Sequence, residues 1–286
     1  MLNLLKNAFS AATMLGAVSA NAGELKITSY NPAEKGIFPV TASLISGDKE
    51  AILVDAQFRV EDGKALVEMI RASGKTLTTI YITCGDPDFY FGLEPIVKAF
   101  PNAKVLASSE VVDHIRKTKD AKLAYWGPIL GAQAPTKIIV PTASNATHLT
   151  LEGKTIEVHE INTHQAYLWA PSIKTAFGGV LVSSGIHLWM ADSQSKTARS
   201  QWMAALNHLA TLKPLKVIPG HYLGEIPAGA KAVLFTRDYL QTYEKLLDKK
   251  PGSAQLIEDL KKAYPSLPVD EGMVIGAKVN TGEMKW

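Results

Sequence analysis

The chain contains one cysteine, Cys84, so it holds no intramolecular disulfide. It has no uncharged apolar run of the roughly 18 residues that a membrane-spanning helix requires. It has no large surplus of either charge: 30 Lys and Arg stand against 27 Asp and Glu, a formal net of +3, and the basic residues form no cluster. A nucleic-acid surface is therefore not indicated. Neither a Pro/Ser/Gly-rich linker nor a short repeat divides the 286 residues, so one large domain is expected rather than two small ones. These absences leave a small molecule or a protein as the expected partner.

What is present begins with an address. Lys6 supplies a positive start, Ala8 to Val18 is apolar but too short to span a bilayer, and Ala20-Asn21-Ala22 fits a cleavage site for small residues. Residues 1–22 thus read as a signal peptide, with a mature chain from Gly23 that is periplasmic or secreted. In such an oxidising compartment a lone thiol is either buried and inert or placed for a purpose.

Apolar alternation predicts strands over Leu25 to Tyr30, Phe38 to Ser46 and Ala51 to Asp55, with a turn at Gly47-Asp48. Ala65, Leu66, Met69 and Ile70 share one helical face, predicting a helix over Glu61 to Ala72. A strand over Leu77 to Thr83 then runs into Cys84-Gly85-Asp86-Pro87-Asp88-Phe89-Tyr90-Phe91-Gly92. Beyond it come a helix near Leu93 to Phe100, a strand at Lys104 to Ala107, and a helix from Ser109 to about Trp126 opened by a serine cap. The second half repeats the style, with strands near Lys154 to Ile161, Ala166 to Ala170, Thr175 to Val182 and Leu215 to Ile218, and helices near Ser195 to Leu212 and Ala230 to Lys249. Two sheet-rich halves with helices outside imply an α/β sandwich.

Four segments, taken in order, resemble the metallo-β-lactamase fold superfamily: Leu53-Val54-Asp55, Thr83 to Gly92, Leu168-Trp169-Ala170-Pro171-Ser172, and Ile218-Pro219-Gly220-His221. The resemblance covers nearly all of the chain after residue 22 and implies a four-layer αββα sandwich. It also implies a zinc site at the strand ends, where neutral imidazoles and carboxylates bind one or two ions that activate water for attack on an ester, lactone or amide.

This sequence departs from the family's ligand pattern. Cys84 and Asp86 stand where the first two histidines of the metal loop would be, and Phe89 where the last would be; Asp88 keeps its place. Val180 follows Gly178-Gly179 where a bridging Asp is expected, and His221 keeps the final ligand position. Phe89 and Val180 offer no lone pair, so the two-zinc centre is not expected. If the loop is extended, Cys84, Asp86 and Asp88 point the same way at every second position. With His221, and with His164 or Glu160 from the middle of the chain, they form a candidate site for one zinc or another divalent ion. The opposing reading makes Asp86-Pro87-Asp88 an ordinary turn and Cys84 a buried space-filling thiol.

Two functions remain open. One is a hydrolase-like protein in which Asp88 and His221 carry catalysis through a reduced metal site, with His187, Trp189 and Tyr90 bordering the substrate pocket. The other is a catalytically inactive binding module with no metal. A Cys84 nucleophile needs a nearby base to form its thiolate. His114, His148, His159 and His208 read as surface or packing residues.

Overall fold

A computed structural model of the protein describes residues 23–162 and 165–286. The proposed signal peptide and His164 lie outside the described residues.

The first half builds a six-stranded sheet in simple sequential order. Strands β1 (Lys26–Tyr30), β2 (Ala42–Ser46) and β3 (Glu50–Val54) pair antiparallel. From β3 onward the pairing is parallel, through β4 (Thr76–Tyr81), β5 (Lys104–Ala107) and β6 (Thr142–Ala143). Parallel neighbours need long crossovers. These are supplied by α1 (Val60–Ser73), then α2 (Pro87–Tyr90) with α3 (Leu93–Ala99), then α4 (Ser109–Leu130).

The second half forms a five-stranded sheet from β7 (His148–Leu151), β8 (Lys154–Asn162), β9 (Gln165–Ala170), β10 (Thr175–Phe177) and, after α5 (Lys196–Thr211), β12 (Lys216–Val217). A small parallel pair joins β11 (Ser183–Ser184) to β13 (His221–Tyr222). Helices α6 (Lys231–Leu247), α7 (Ser253–Ala263) and α8 (Glu271–Asn280) complete the outer layer.

Strand β3 shows why four layers result. Ala51 and Leu53 belong to one buried cluster with Leu66 and Ile70 of α1, while Ile52 and Val54 face Leu168, Ala170 and Phe177 of the other sheet. Both faces of the strand are covered, as expected for a parallel-sheet interior. Each fully buried Leu or Ile contributes about 1.5–3 kcal/mol. A third cluster packs Trp169 and Ala176 against Leu206, Val233, Tyr239 and Tyr243 of α5 and α6. The αββα sandwich implied by the family resemblance is thus the observed fold.

Three local expectations change. The strand foreseen over Thr175 to Val182 stops at Phe177, because Gly178 and Gly179 turn with φ of 80° and 67° and the chain re-enters a different sheet at Ser183. The long helix is capped by Ser108, whose hydroxyl accepts from the Val111 amide, and it runs past Trp126 through Pro128 to Leu130. The Cys84 to Gly92 segment is not extended throughout, since Pro87 opens one helical turn.

Candidate functional site

The site is built where the two halves are stitched together at their strand ends. The Ala166 amide donates to the Thr83 carbonyl at 2.9 Å, and Cys84 bridges Gln165 across the halves. On the opposite flank the Thr41 amide donates to the Gly220 carbonyl at 2.7 Å, the Tyr222 amide to the Pro39 carbonyl at 3.1 Å, and Val40 bridges His221. His221 is therefore held between β11 and the segment leading into β2.

Asp55 ties these parts together from below. It closes β3 with φ of 64°, a left-handed conformation that Asp tolerates better than most residues. Its carboxylate accepts from the Thr83 amide and hydroxyl, each at 2.8 Å, and from the Gly179 amide at 3.2 Å. Burial pushes the carboxyl up to about 7, against the pull of the Thr83 and Gly179 hydrogen bonds. The close approach requires glycine at two points: a Cβ on Gly179 would lie 1.9 Å from the Ala166 carbonyl oxygen, and one on Gly220 would lie 1.6 Å from the Gly179 carbonyl oxygen.

Above this node the expected site residues gather, in two separate pairings. The helical turn at Pro87 breaks the every-second-residue alignment anticipated for Cys84, Asp86 and Asp88. Asp88 turns to His221, whose Nε2 is 2.8 Å from Asp88 Oδ2. Asp86 instead meets Lys122 of α4, whose Nζ donates to Asp86 Oδ1 at 2.6 Å, while the Cys84 thiol donates to Asp86 Oδ2 at 3.1 Å. Burial pushes the Cys84 thiol well above its usual range, and the Asp86 and Asp88 charges add to the rise. It is a buried thiol, unsuited to act as a thiolate nucleophile or ligand. Burial alone would lower the Lys122 ammonium, but the charge and hydrogen bond of Asp86 outweigh it and the net shift is upward.

The residues foreseen as pocket lining divide. Trp189 belongs to the site: its indole N–H donates to Asp192 Oδ2 at 2.6 Å, and Trp286 donates to Asp192 Oδ1 at 2.7 Å. The two indoles meet edge to face at 5.2 Å, Trp189 meets Phe38 at 6.0 Å, and Phe38 meets Trp126 at 5.4 Å. Tyr90 lies beneath, wholly buried, its hydroxyl without a hydrogen-bond partner. His187 lies apart from these side chains. It is buried in the outer helical layer, where Nδ1 is 2.9 Å from the Tyr239 hydroxyl and the ring also meets Tyr264. Burial holds its imidazole below the usual range. Glu160 is exposed on β8. His114 is not remote from the site: its Nε2 lies 3.5 Å from Lys122 Nζ.

Sequence reasoning missed Lys122, Asp192, Phe38, Trp126 and Trp286. One signal was available: the chain has five tryptophans, and three of them converge here. Two open grooves of about 430 and 560 Å³ lie elsewhere, share His159 and include none of these residues.

Zinc, the ion the fold family implies, can be tested against these side chains. Two positions that would donate a lone pair carry Phe89 and Val180, packed in the same apolar cluster as Cys84. The Phe89 ring stands 5.5 Å from the His221 ring, edge to face, where a further ligand would be needed. Asp86 already holds a cation, the Lys122 ammonium. Among the described residues no group of three or more His, Cys, Asp or Glu is arranged to hold a metal ion. The donor set does not fit zinc.

With the geometry established, comparison with known proteins places the chain. Residues 36–221 match the sequence profile described as the metallo-beta-lactamase superfamily, and the chain belongs to that family. Among solved structures it is similar to the metallo-beta-lactamase family protein TTHA1429 from Thermus thermophilus, with a TM-score of 0.59 at 16% identity over 90% of this chain and 91% of that one. It is similar also to the DIM-1 metallo-beta-lactamase, with a TM-score of 0.53 at 20% identity over 77% of this chain and 96% of that one. For the metallo-beta-lactamase TMB-1 the values are 0.52, 16%, 76% and 92%. At these identities the likeness concerns the fold. No curated protein matches the chain in sequence.

Proposed function

We propose that this family member is an exported, metal-independent protein that binds a small molecule at the strand ends, without the hydrolytic metal centre of its relatives. The observation that carries this reading is the Lys122–Asp86 ion pair, 2.6 Å long and formed between two side chains that are each only about one-fifth to one-quarter exposed. A fixed ammonium supplies the positive charge that a metal ion would otherwise bring to these carboxylates, and a second cation beside it is repelled. Asp88 is hydrogen-bonded to His221.

The alternative, a hydrolase working through one divalent ion on Asp88 and His221, needs Lys122 to leave Asp86 and a third donor to appear. Export is supported by the leader-like residues 1–22 and by the first residue after them. The Gly23 backbone nitrogen lies 2.8 Å from Asp48 Oδ2, so cleavage after Ala22 would create an ammonium already facing a carboxylate. Elemental analysis of protein purified without chelator tests the reading. No stoichiometric metal, and a Tm unchanged by EDTA, is the expected result. Zinc or manganese near one per chain, lost in an Asp88→Ala/His221→Ala variant, would overturn it.

A further inference from the structure

The second half of the chain carries a cluster of polar side chains that the strand-end site does not use, on the face of β8 turned toward α5. Glu157 and His159 stand at alternate positions of β8 and so share that face, and His208 reaches it from α5. The His159 and His208 rings are 5.2 Å apart, centre to centre, and both line the open groove of about 560 Å³.

One side chain orients both rings. Tyr167 of β9 is only 2% exposed; its ring stacks on His159 at 5.0 Å and 16°, and its hydroxyl is 3.2 Å from His208 Nδ1. His159 Nε2 in turn is 2.8 Å from a Glu157 carboxylate oxygen. Each imidazole thus has one nitrogen tied to an oxygen. When that oxygen accepts, the proton sits on the tied nitrogen and the lone pair is on the other, Nδ1 of His159 and Nε2 of His208. Metal-binding histidines are held in the same manner, the second ring nitrogen donating to a carboxylate or another oxygen.

The spacing agrees with this. An imidazole nitrogen binds zinc at about 2.0–2.1 Å, which puts the ring centre about 3.2 Å from the ion, and two such rings at a tetrahedral angle are about 5.2 Å apart. The charge of the groove agrees as well. Among the described residues that line it there is a carboxylate, Glu160, and no lysine or arginine, whereas the strand-end carboxylates already hold the Lys122 ammonium. No group of three His, Cys, Asp or Glu is assembled among the described residues, so water completes the coordination of an ion bound here.

We propose that His159 and His208 form a binding site for one divalent transition ion that favours imidazole, copper(II) ahead of zinc in affinity, separate from the strand ends. This goes beyond the metal-independent reading of the strand-end site and does not depend on it. An ion with only two protein ligands exchanges with solvent, so protein purified without added metal is still expected to be metal-free.

Copper(II), added to the mature protein after chelator treatment and dialysis and followed by electron paramagnetic resonance near neutral pH, tests the proposal. One copper per chain, with nitrogen hyperfine structure from two imidazoles and displacement by excess zinc, is the expected result. Glu157→Gln keeps both imidazoles and should weaken binding about tenfold, and His159→Gln or His208→Gln should weaken it further; a Tm within a few degrees of the parent shows that each variant folds. Absence of bound copper, or binding that His159→Gln and His208→Gln leave unchanged, overturns the proposal. The Asp88→Ala/His221→Ala variant separates this failure from that of the strand-end reading: copper lost in that variant but kept in the other two lies at the strand ends and overturns both, whereas copper kept in all three overturns the groove site alone.

Discussion

Two carboxylates at the ends of neighbouring strands, Asp55 and Asp86, have opposite surroundings. Asp55 is completely buried and meets only neutral donors, the Thr83 amide and hydroxyl and the Gly179 amide. Asp86 is reached by water and is held by the Lys122 ammonium and the Cys84 thiol. The first carboxylate joins the two sheets; the second sets the charge of the surface above them. In this protein the part of the family motif that builds the fold is intact, while the part that would carry a metal is occupied by side chains bonded to one another.

That contrast is open to direct tests, starting with the largest effect. Asp55→Ala strands three buried donors and should cost about 3–5 kcal/mol, read as a shift in the urea midpoint at unchanged slope. A loss below about 1 kcal/mol would show that Asp55 does not hold the halves together. Gly179→Ala places a methyl group on the Ala166 carbonyl and forces alanine to adopt a φ of 67°, so a loss of about 2–3 kcal/mol is expected from the same measurement.

Lys122→Met should cost less, about 1–2 kcal/mol, because water still reaches Asp86. It should also raise the affinity of the site for divalent cations, measured by zinc titration; unchanged zinc affinity would show that the lysine is not what keeps metal away. Asp192 supplies the smallest effect. Burial first, and then the Asp86 charge, raise this carboxyl from 3.8 to about 6, against the Trp286 and Trp189 hydrogen bonds and the Lys122 charge. The folded chain therefore keeps a proton that the unfolded chain has lost, and stability falls as pH rises from 3.8 to about 6. Solvent screening keeps the contribution under about 1 kcal/mol. Asp192→Asn should flatten this part of the Tm curve between about pH 4 and pH 7, and an unchanged slope would assign the pH dependence to other groups.

Much of the fold was legible because hydrophobic spacing reports on local geometry. Alternation marked β1 to β3, and a period-3.6 face marked α1. The breaks came where a single residue overrules a pattern. Gly178-Gly179 ended β10 early although Leu181 and Val182 continue the apolar run, and Pro87 coiled a loop whose ligand spacing argued for an extended chain.

By itself the sequence determined the family, the sandwich, and the presence of Cys84, Asp86, Asp88 and His221 near the strand ends, because ordered motifs and apolar periodicity are properties of neighbouring residues. Only the tertiary structure decided their partners. Asp86 and Lys122 are separated by 36 positions, Trp286 and Asp192 by 94, and Asp88 and His221 by 133. No local rule links residues so far apart. The placement of α4 beside the segment after β4, the Asp55 node and the approach of Gly220 to Gly179 set those distances. These packing contacts determine whether the carboxylates face a lysine or a metal ion.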